Sequence, residues 1–423
     1  MGKRRAKYAV FAGLLLAVLL LGGRYAGRSG DDRKVPAPEV KETAKETAKE
    51  NRQINPKTEG ELTETKETDT PKEQTEEPAE VSGEETEAPG EPEEYDIVLS
   101  FAGDICLDDS CAVMQDYIGQ GEKLENNIAP ELLRLMRDAD VCWINNEFAY
   151  SDRGAPLENK MYTFRADPER VSMLQEMGVD IAGLANNHVY DFGAEAMEDT
   201  LDTLRRAEID YVGAGKNLEE AMTPVCREID GIKIAYVAAS RAEKYKMTPQ
   251  ATEEEAGILR CYDTELFLEA IRRARQEADY VIALVHWGTE YSAELEEVQT
   301  ATGREYIEAG ADIVIGAHTH CLQGIEFYQG KPIIYSLGNF WFNGKPLDTM
   351  LLRLRLSGDD RTSEITSGHV EVQVVPARQE NCRTGMLEGE EAGRLFDYLE
   401  EISTGIGIDR EGVVRAAMAG KKL

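Results

Sequence analysis

Residues 263–320 read DTELFLEAIRRARQEADYVIALVHWGTEYSAELEEVQTATGREYIEAGADIVIGAHTH. In this stretch, helical patterns over residues 263–278 and 294–309 alternate with short β-branched and apolar runs at 280–285 and 313–316. Such runs are typical of strands, and strands that alternate with helices indicate a layered α/β domain. The sequence therefore predicts an α/β fold.

The same alternation extends over most of the chain. Further strands are predicted at residues 97–102, 141–144, 179–184, 232–238, 332–336, 351–356 and 370–375. Two further helices are predicted at residues 167–178 and 194–208, and the first begins with an Asp-Pro-Glu sequence typical of a helix N-terminus. Apolar residues between 395 and 402 share one helical face and predict a C-terminal helix packed on the domain. The later strands follow one another through turns, so part of the sheet should be antiparallel or mixed.

Charge and composition divide the 423 residues into segments. The predicted segments are a basic cytoplasmic N-terminus at 1–7, a transmembrane signal-anchor at 8–23, an acidic, Thr/Glu/Pro-rich disordered linker at 24–94, a folded domain at 95–385 and a C-terminal helical extension at 386–423. The formal net charge is −33, from 80 acidic and 47 basic side chains, and most of it falls in the folded part. Because phosphate backbones attract Lys and Arg, this excess of acid argues against a nucleic-acid binder.

The apolar run at residues 8–23 contains no charged residue, and four basic residues precede it. A span of 16 residues is short beside the roughly 20 that cross a bilayer, so a cleaved signal peptide is the alternative to a retained anchor. No small-residue cleavage site is obvious before Arg24, which favours the anchor. The preceding basic residues predict a cytoplasmic N-terminus and an extracellular domain at the cell membrane.

Polar residues that suit metal coordination or acid–base chemistry cluster where predicted strands end. They are Asp104, Asn145-Asn146-Glu147, Asn186-Asn187-His188 with Asp191, His286 with Glu290, and His318-Thr319-His320 with Gln323. Ligand sites in α/β sheets lie at the carboxyl ends of strands, and side chains two apart, such as His318 and His320, share one strand face. Each strand end alone is explained by packing or by a turn, but five together are not. Oxygen and imidazole ligands without thiolates suit Mn, Fe or Zn, so one or two divalent ions are expected.

The order and spacing of these motifs resemble the bacterial capsule-synthesis CapA family. The motifs are Gly103-Asp104, Asn145-Asn146-Glu147, Ala185-Asn186-Asn187-His188-x-x-Asp191-x-Gly193, His286-Trp287-Gly288-x-Glu290-Tyr291, Gly316-x-His318-x-His320-x-x-Gln323 and Ser336-Leu337-Gly338-Asn339-Phe340. This family contains the poly-γ-glutamate capsule proteins, within the calcineurin-like metallophosphatase superfamily. The resemblance implies a four-layer α/β/β/α sandwich with mixed sheets and a dinuclear metal cleft. It also implies an outward-facing role in poly-γ-glutamate synthesis or export, together with the membrane subunits of a capsule synthase.

The resemblance also implies roles for individual residues. Asp104 and His320 would bind the first ion. Asn187, His286 and His318 would bind the second, and Glu147 would bridge the two ions. His188 would face the leaving group, with Asp191 as its orienting partner. Expected substrate contacts are Arg165, Glu290, Gln323 and Asn339. Two features depart from the superfamily pattern: no His follows Asp104 two residues later, and Glu147 replaces a bridging Asp, so one ion could be weakly held or absent.

Two functions remain open on the sequence. In the first, the cleft hydrolyses a phosphoester or a related charged ester or amide, with two cations activating a water and His188 protonating the departing oxygen. In the second, the domain is a non-catalytic scaffold that binds poly-γ-glutamate, or another anionic envelope polymer, through its metals. The acidic charge of the folded part opposes general attraction of a polyanion, so any polymer contact should be local.

Overall fold

The computed structural model describes residues 94–242, 247–358 and 369–417. The predicted basic N-terminus and signal-anchor, and the predicted linker apart from Glu94, lie outside these residues. Within the described ranges, no helix is both long enough and apolar enough to span a bilayer.

Strands are the more numerous elements of the described structure. They are β1 (Tyr95–Ile105), β2 (Val141–Asn146), β3 (Ala149–Tyr150), β4 (Arg165–Ala166), β5 (Ile181–Gly183), β6 (Asp210–Val212), β7 (Ala214–Gly215), β8 (Val225–Ile229), β9 (Ile232–Ser240), β10 (Gly257–Ile258), β11 (Tyr280–His286), β12 (Ile313–Ala317), β13 (Ile325–Tyr328), β14 (Lys331–Ile334), β15 (Asn339–Trp341), β16 (Leu347–Gly358), β17 (His369–Glu380), β18 (Arg383–Met386), β19 (Ile406–Ile408) and β20 (Val413–Ala416). The longest, β16 and β17, pair antiparallel with each other.

The helices lie between these strands. They are α1 (Ala112–Gly119), α2 (Pro130–Arg137), α3 (Val171–Met177), α4 (Ala194–Arg206), α5 (Leu218–Met222), α6 (Glu265–Glu277), α7 (Glu297–Ala309) and α8 (Gly389–Ile402). The Asp167 side chain accepts a hydrogen bond from the Glu169 backbone N–H and begins a 3-10 turn that leads into α3. Helix α3 ends at Gly178, whose φ of 82° lies in the left-handed region that favours glycine.

Two large sheets, both mixed, carry the architecture. Sheet 1 has the order β19-β20-β17-β16-β1-β2-β5-β6, with β15 also paired to β1 and β18 to β17. Its half from β1 to β6 is parallel, whereas β16, β17 and β20 are antiparallel. Sheet 2 has the order β13-β14-β12-β11-β9-β8, with a parallel centre and an antiparallel strand at each edge. The mixed sheets predicted from the turn-linked strands are confirmed.

The two sheets pack face to face, and helices cover their outer faces. Along β11, Ile282 and Leu284 face sheet 1, whereas Val281 and Val285 face helices α6 and α7. Along β2, Trp143 faces sheet 2, and its neighbours in the strand face α2, α3 and α4. This alternation with a period of two gives four layers, helix, sheet, sheet and helix, each separated by a buried apolar core.

The C-terminal segment differs from the expectation of a helical extension. Helix α8 is present, and its buried Leu395, Phe396 and Leu399 join the core between the sheets. After α8, however, the chain forms β19 and β20, and β20 pairs with β17 in sheet 1. The predicted boundary at 386 therefore falls inside one continuous sheet. The sequence reading also missed the short helices α1, α2 and α5.

Candidate metal centre

The predicted polar residues meet at one edge of the sandwich. Asp104 lies near the end of β1, Glu147 follows β2, and His188 lies in the turn after β5, all from sheet 1. His286 ends β11, and His318 follows β12, both from sheet 2. Because these strands are parallel within each sheet, their carboxyl ends point to the same side, as expected for a ligand site in an α/β fold.

The buried ligand atoms form two overlapping groups. Glu147, His286 and His318 make one group, and Asp104, Glu147 and His320 make the other. Within each group the candidate ligand atoms all lie within 4.8 Å of one another. Glu147 belongs to both groups, so one carboxylate offers a candidate ligand atom to each of them.

A close backbone approach positions Asp104. An ideal Cβ on Gly103 would lie 1.9 Å from the carbonyl oxygen of Gly338, so only glycine fits there. The Asp104 backbone N–H donates to that same oxygen over 3.1 Å. The pairing of β1 with β2 shifts register between Ala102 and Asp104, an irregularity that re-aims side chains near functional sites.

Hydrogen bonds orient the Asp104 carboxylate. Asn145 Nδ2 donates to its Oδ1 over 2.7 Å, and His320 Nδ1 lies 2.9 Å from its Oδ2. Burial by itself would raise the pKa of Asp104, but the bond to His320 and the charges around it lower the pKa instead. Asp104 is therefore held as a carboxylate, the form that binds a metal.

His320 is held by two partners from neighbouring strands of sheet 1. Its Nδ1 also lies 2.8 Å from Asn339 Oδ1, at the start of β15. Burial favours the neutral ring, but the carboxylates of Glu147 and Asp104 outweigh it and raise the pKa of His320 to about 9. A cation that binds to these carboxylates would displace the extra proton of the ring, since metal binding releases protons from its ligands. His318 and His320 both have positive φ, 95° and 56°, a strained conformation for non-glycine residues that clusters at functional sites.

Glu147 provides the test of whether a cation fits. Its side chain is completely buried, and neither carboxylate oxygen has a hydrogen-bond donor among the described residues. Burial and the Asp104 charge raise the pKa of Glu147 well above its usual value. An unpaired buried carboxylate is costly, and a bound divalent ion removes that cost by supplying the missing charge. The residues present therefore fit a divalent metal.

Neutral imidazoles and an amide surround the second position. His286 Nε2 lies 2.7 Å from Asn187 Oδ1 and 3.4 Å from Glu147 Oε1, so Asn187 joins this group. The rings of His286 and His318 are 4.6 Å apart, and His318 Nδ1 has no hydrogen-bond partner in the described structure. Burial lowers the pKa of His286 to about 3 and lowers that of His318 well below its usual value. Both rings are therefore neutral, which is the form that binds metals.

His188 stands apart from the two groups but faces them. Its Nδ1 lies 2.6 Å from Asp191 Oδ2, and its Nε2 lies 3.9 Å from Glu147 Oε1. Burial lowers the pKa of His188 despite the bond to Asp191. The Asp191 carboxylate fixes the ring so that Nε2 points toward the candidate ligands, the arrangement of an oriented acid or base.

The expected substrate contacts fall in different surroundings. Glu290 is exposed on the loop after β11, and Asn339 is buried beside His320. The Arg165 guanidinium lies 4.2 Å from the Phe192 ring centroid and donates to the Arg153 carbonyl oxygen. Gln323 is completely buried. Its side-chain nitrogen donates to backbone oxygens of the 292–294 loop, and its side-chain oxygen accepts a hydrogen bond from Gln299 Nε2. Gln323 therefore supports that loop, and a direct substrate contact would have to break these bonds.

Two residues near the site received no role from the sequence. Asn145 donates to Asp104 and lies 3.3 Å from His286 Nδ1, so it connects the two groups. Asn145 lies in β2 two residues before Glu147, and side chains two apart in an extended chain point to the same side, so this spacing is a signal that would have identified it. Lys160 contacts Asp191, and nothing in its loop sequence distinguishes it from a surface lysine.

Comparisons of the sequence with known proteins identify the same family that the order of the motifs indicates. Residues 98–344 match the family model described as bacterial capsule synthesis protein PGA_cap. The capsule biosynthesis protein CapA of Bacillus anthracis is 35% identical over 182 residues, covering 42% of this chain and 44% of that protein. The PGA biosynthesis protein CapA of Bacillus subtilis strain 168 is 34% identical over 186 residues, covering 44% of this chain and 48% of that protein.

The chain thus spans about half the length of these curated relatives. A solved structure described as a novel phosphatase from Mycoplasma pneumoniae is 12% identical, covering 68% of this chain and 95% of that one, with a TM-score of 0.40. A likeness of that size carries no argument about activity. The family model, in contrast, covers more than half of the chain and includes every motif that meets at the candidate metal centre. The chain therefore belongs to the bacterial capsule synthesis protein family PGA_cap.

Proposed function

We propose that this protein is a divalent-metal hydrolase that cleaves a phosphoester, or a related charged ester or amide. One observation carries the proposal: two groups of buried ligands share Glu147, whose carboxylate has no hydrogen-bond donor in the described structure. Asp104, Glu147 and His320 would hold one ion, and Asn187, His286 and His318 would hold the other together with Glu147. Carboxylate, amide and imidazole ligands suit Mn, Fe or Zn.

The chain's own residues supply the rest of the chemistry. A pair of bound cations would lower the pKa of a shared water and stabilise charge on a phosphoryl oxygen. Asn145 and Asn339 keep Asp104 and His320 in place through the bonds described above. When both of its ring nitrogens carry a proton, His188 would give the Nε2 proton to the departing oxygen and become neutral, while Asp191 keeps the Nδ1 proton in place. A positioned acid of this kind contributes about 10²- to 10⁴-fold to a rate.

The names of the relatives support a biological setting. Capsule biosynthesis and PGA biosynthesis proteins suggest that this chain acts in the synthesis or export of poly-γ-glutamate or another anionic envelope polymer. We place it at the cell membrane, held by the uncharged run at residues 8–23 with its folded part outside, where capsule synthase subunits would be its partners. Fractionation of cells into membrane and soluble pools, with protease accessibility of the folded part, tests this placement.

The second candidate is a scaffold that holds the polymer through metal-bound carboxylates without cutting it. The observation in its favour concerns the ligands of the first ion. In the superfamily pattern a His follows the first Asp ligand by two residues, and no His follows Asp104 at that spacing. Cys106 stands at that position, with its sulfur 3.3 Å from that of Cys111. An ion held by fewer ligands could bind polymer and still be a poor catalyst.

Metal analysis of the full-length chain, combined with turnover of a chromogenic phosphodiester and with poly-γ-glutamate cleavage, tests the proposal. We expect His286→Ala and His320→Ala to lose bound metal and turnover while remaining folded. The matched control is His369→Ala, because His369 lies exposed in β17 and belongs to neither group. Equal metal content in all four proteins refutes the ligand assignment. Polymer binding without turnover of any ester favours the scaffold.

A further inference from the structure

A lysine is buried beside the candidate acid. Lys160 lies in the segment between β3 and β4, and its side chain is only 6% exposed. The next two residues, Met161 and Tyr162, are 85% and 64% exposed. Lysine is almost never fully buried unless it is paired, so a buried lysine between a strand end and an exposed loop has a specific partner.

The partners of Lys160 lie on both sides of His188. Its Nζ is 2.7 Å from Asp191 Oδ1, and the same ammonium donates a hydrogen bond to the carbonyl oxygen of Asn187. The other oxygen of Asp191 bonds His188 Nδ1 and accepts from the Phe164 backbone N–H over 2.7 Å. The five-residue turn at 187–191, which carries His188, is therefore held at both ends by one ammonium group.

The segment that carries Lys160 is itself attached to this turn. The Leu157 backbone N–H donates to the carbonyl oxygen of Asp191 over 2.8 Å, and the Lys160 backbone N–H donates to that of Leu157. The backbone that carries Lys160 is therefore attached to the turn, and the ammonium at the end of its side chain is held there by Asp191 and Asn187. A fixed cation can hold the Asp191 carboxylate in one orientation, whereas a mobile one cannot.

We infer that Lys160 is a positioning residue for the reaction proposed above, acting on His188 through Asp191. The ammonium fixes the Asp191 carboxylate, the carboxylate fixes Nδ1 of the ring, and Nε2 then points into the cleft, where it lies 3.9 Å from Glu147. This inference rests on the proposed hydrolase function. It adds that the 151–164 segment belongs to the proton-donating machinery and is more than a surface loop.

Leaving-group dependence separates a positioning role from a merely structural one. An alkyl oxygen needs a proton to depart, whereas p-nitrophenolate does not. In the metal-loaded full-length protein, we expect Lys160→Met to lower turnover of an alkyl phosphodiester by about 10- to 100-fold, within the contribution of a general acid. Turnover of the p-nitrophenyl ester should change by less than about threefold, because the acid contributes little to its departure. The control, Lys216→Met, removes an exposed lysine that pairs with Asp202 over a similar 2.9 Å and should change neither.

A double-mutant cycle with His188→Ala tests the route of the effect. In the His188→Ala background, Lys160→Met should not change the ratio of alkyl to aryl turnover any further. An equal loss on both esters, or a further drop of the ratio in the absence of His188, overturns the inference. If Lys160→Met fails to fold, Lys160→Gln replaces it, since the amide can still donate to Asn187 but cannot form the ion pair.

A measurement that needs no turnover keeps the inference separate from the proposed function. The His188 Nδ1 proton, bonded to Asp191 over 2.6 Å, should give a downfield proton resonance that disappears in His188→Ala. We expect the resonance to be kept in Lys216→Met and lost or shifted in Lys160→Met. An unchanged resonance overturns the inference whether or not the wild type cleaves an ester. A shifted resonance in a protein without turnover contradicts only the proposed hydrolase.

Discussion

Replacing Gly103 by alanine tests whether the contact between β1 and the 336–339 segment holds the candidate metal centre. An ideal Cβ at this position would lie 1.9 Å from the carbonyl oxygen of Gly338 and 3.0 Å from its carbonyl carbon. The obstructing atoms belong to the backbone, so no side chain can rotate out of the way. Either β1 or the 336–339 segment must move.

The size of the effect follows from what that movement breaks. Forcing a methyl group into a packed site costs about 1–3 kcal/mol. Loss of the 3.1 Å hydrogen bond from the Asp104 backbone N–H to Gly338 adds about 1 kcal/mol. We therefore expect Gly103→Ala to lower the free energy of unfolding by about 2–4 kcal/mol. Metal affinity should fall as well, because Asn339, the next residue after Gly338, bonds His320.

Urea unfolding of the full-length chain, followed by circular dichroism with chelator and again with excess metal, measures both effects. The matched control is Gly393→Ala in the interior of α8, where no atom lies within 4 Å of the ideal Cβ. That substitution should stabilise the protein by about 0.5–1 kcal/mol, because alanine is the better helix former. If Gly103→Ala unfolds at the wild-type midpoint and keeps its metal, the close approach does not hold the site and the reasoning fails.

Two further predictions concern parts of the fold beside the site. The sulfurs of Cys106 and Cys111 lie 3.3 Å apart as free thiols, so an oxidant such as glutathione disulfide should join them and raise the free energy of unfolding by about 2 kcal/mol. Peptide mapping with and without reductant checks this, and a peptide that stays reduced after treatment with the oxidant contradicts it. Arg304→Met should destabilise the protein by about 1–3 kcal/mol, because the guanidinium donates two bonds to the nearly buried Glu326 and only the Tyr335 hydroxyl would remain. A double-mutant cycle with Glu326→Gln should recover part of that loss, and strictly additive losses would show that the pair is not coupled.

Most of the strands could be predicted because their signal is local. The run at 280–285 alternates between two buried faces and lies within β11, whose bounds are Tyr280–His286. The run at 97–102 was predicted to stop before Gly103, but β1 continues to Ile105 through a shift of register. Glycine weakens a strand signal, and no local pattern shows that a partner strand will accept an irregularity there.

The strands after α8 were harder to predict because their pairing partner is distant in the sequence. The apolar face of α8 is visible in its periodicity, whereas β19 and β20 contain three and four residues. Strands so short are stable only through pairing: β20 pairs with the edge of β17, and β19 pairs with β20. That edge comes from residues 369–380 and is absent from the local sequence. The helical part of this segment is therefore α8 alone, and the expectation missed the two strands that follow it.

Chemical character is a property of single residues and short motifs, so the sequence alone determined which side chains at the strand ends could hold a metal or a proton. Their meeting is a property of sheet order: Asp104 and His320 are 216 residues apart, and Asn145 and His286 are 141 apart. Only the packing of the two sheets placed Glu147 in both groups of candidate ligands. The same packing left its carboxylate oxygens without a hydrogen-bond donor among the described residues. The same holds for Lys160, since burial is set by the elements packed around a residue and not by its neighbours in the chain.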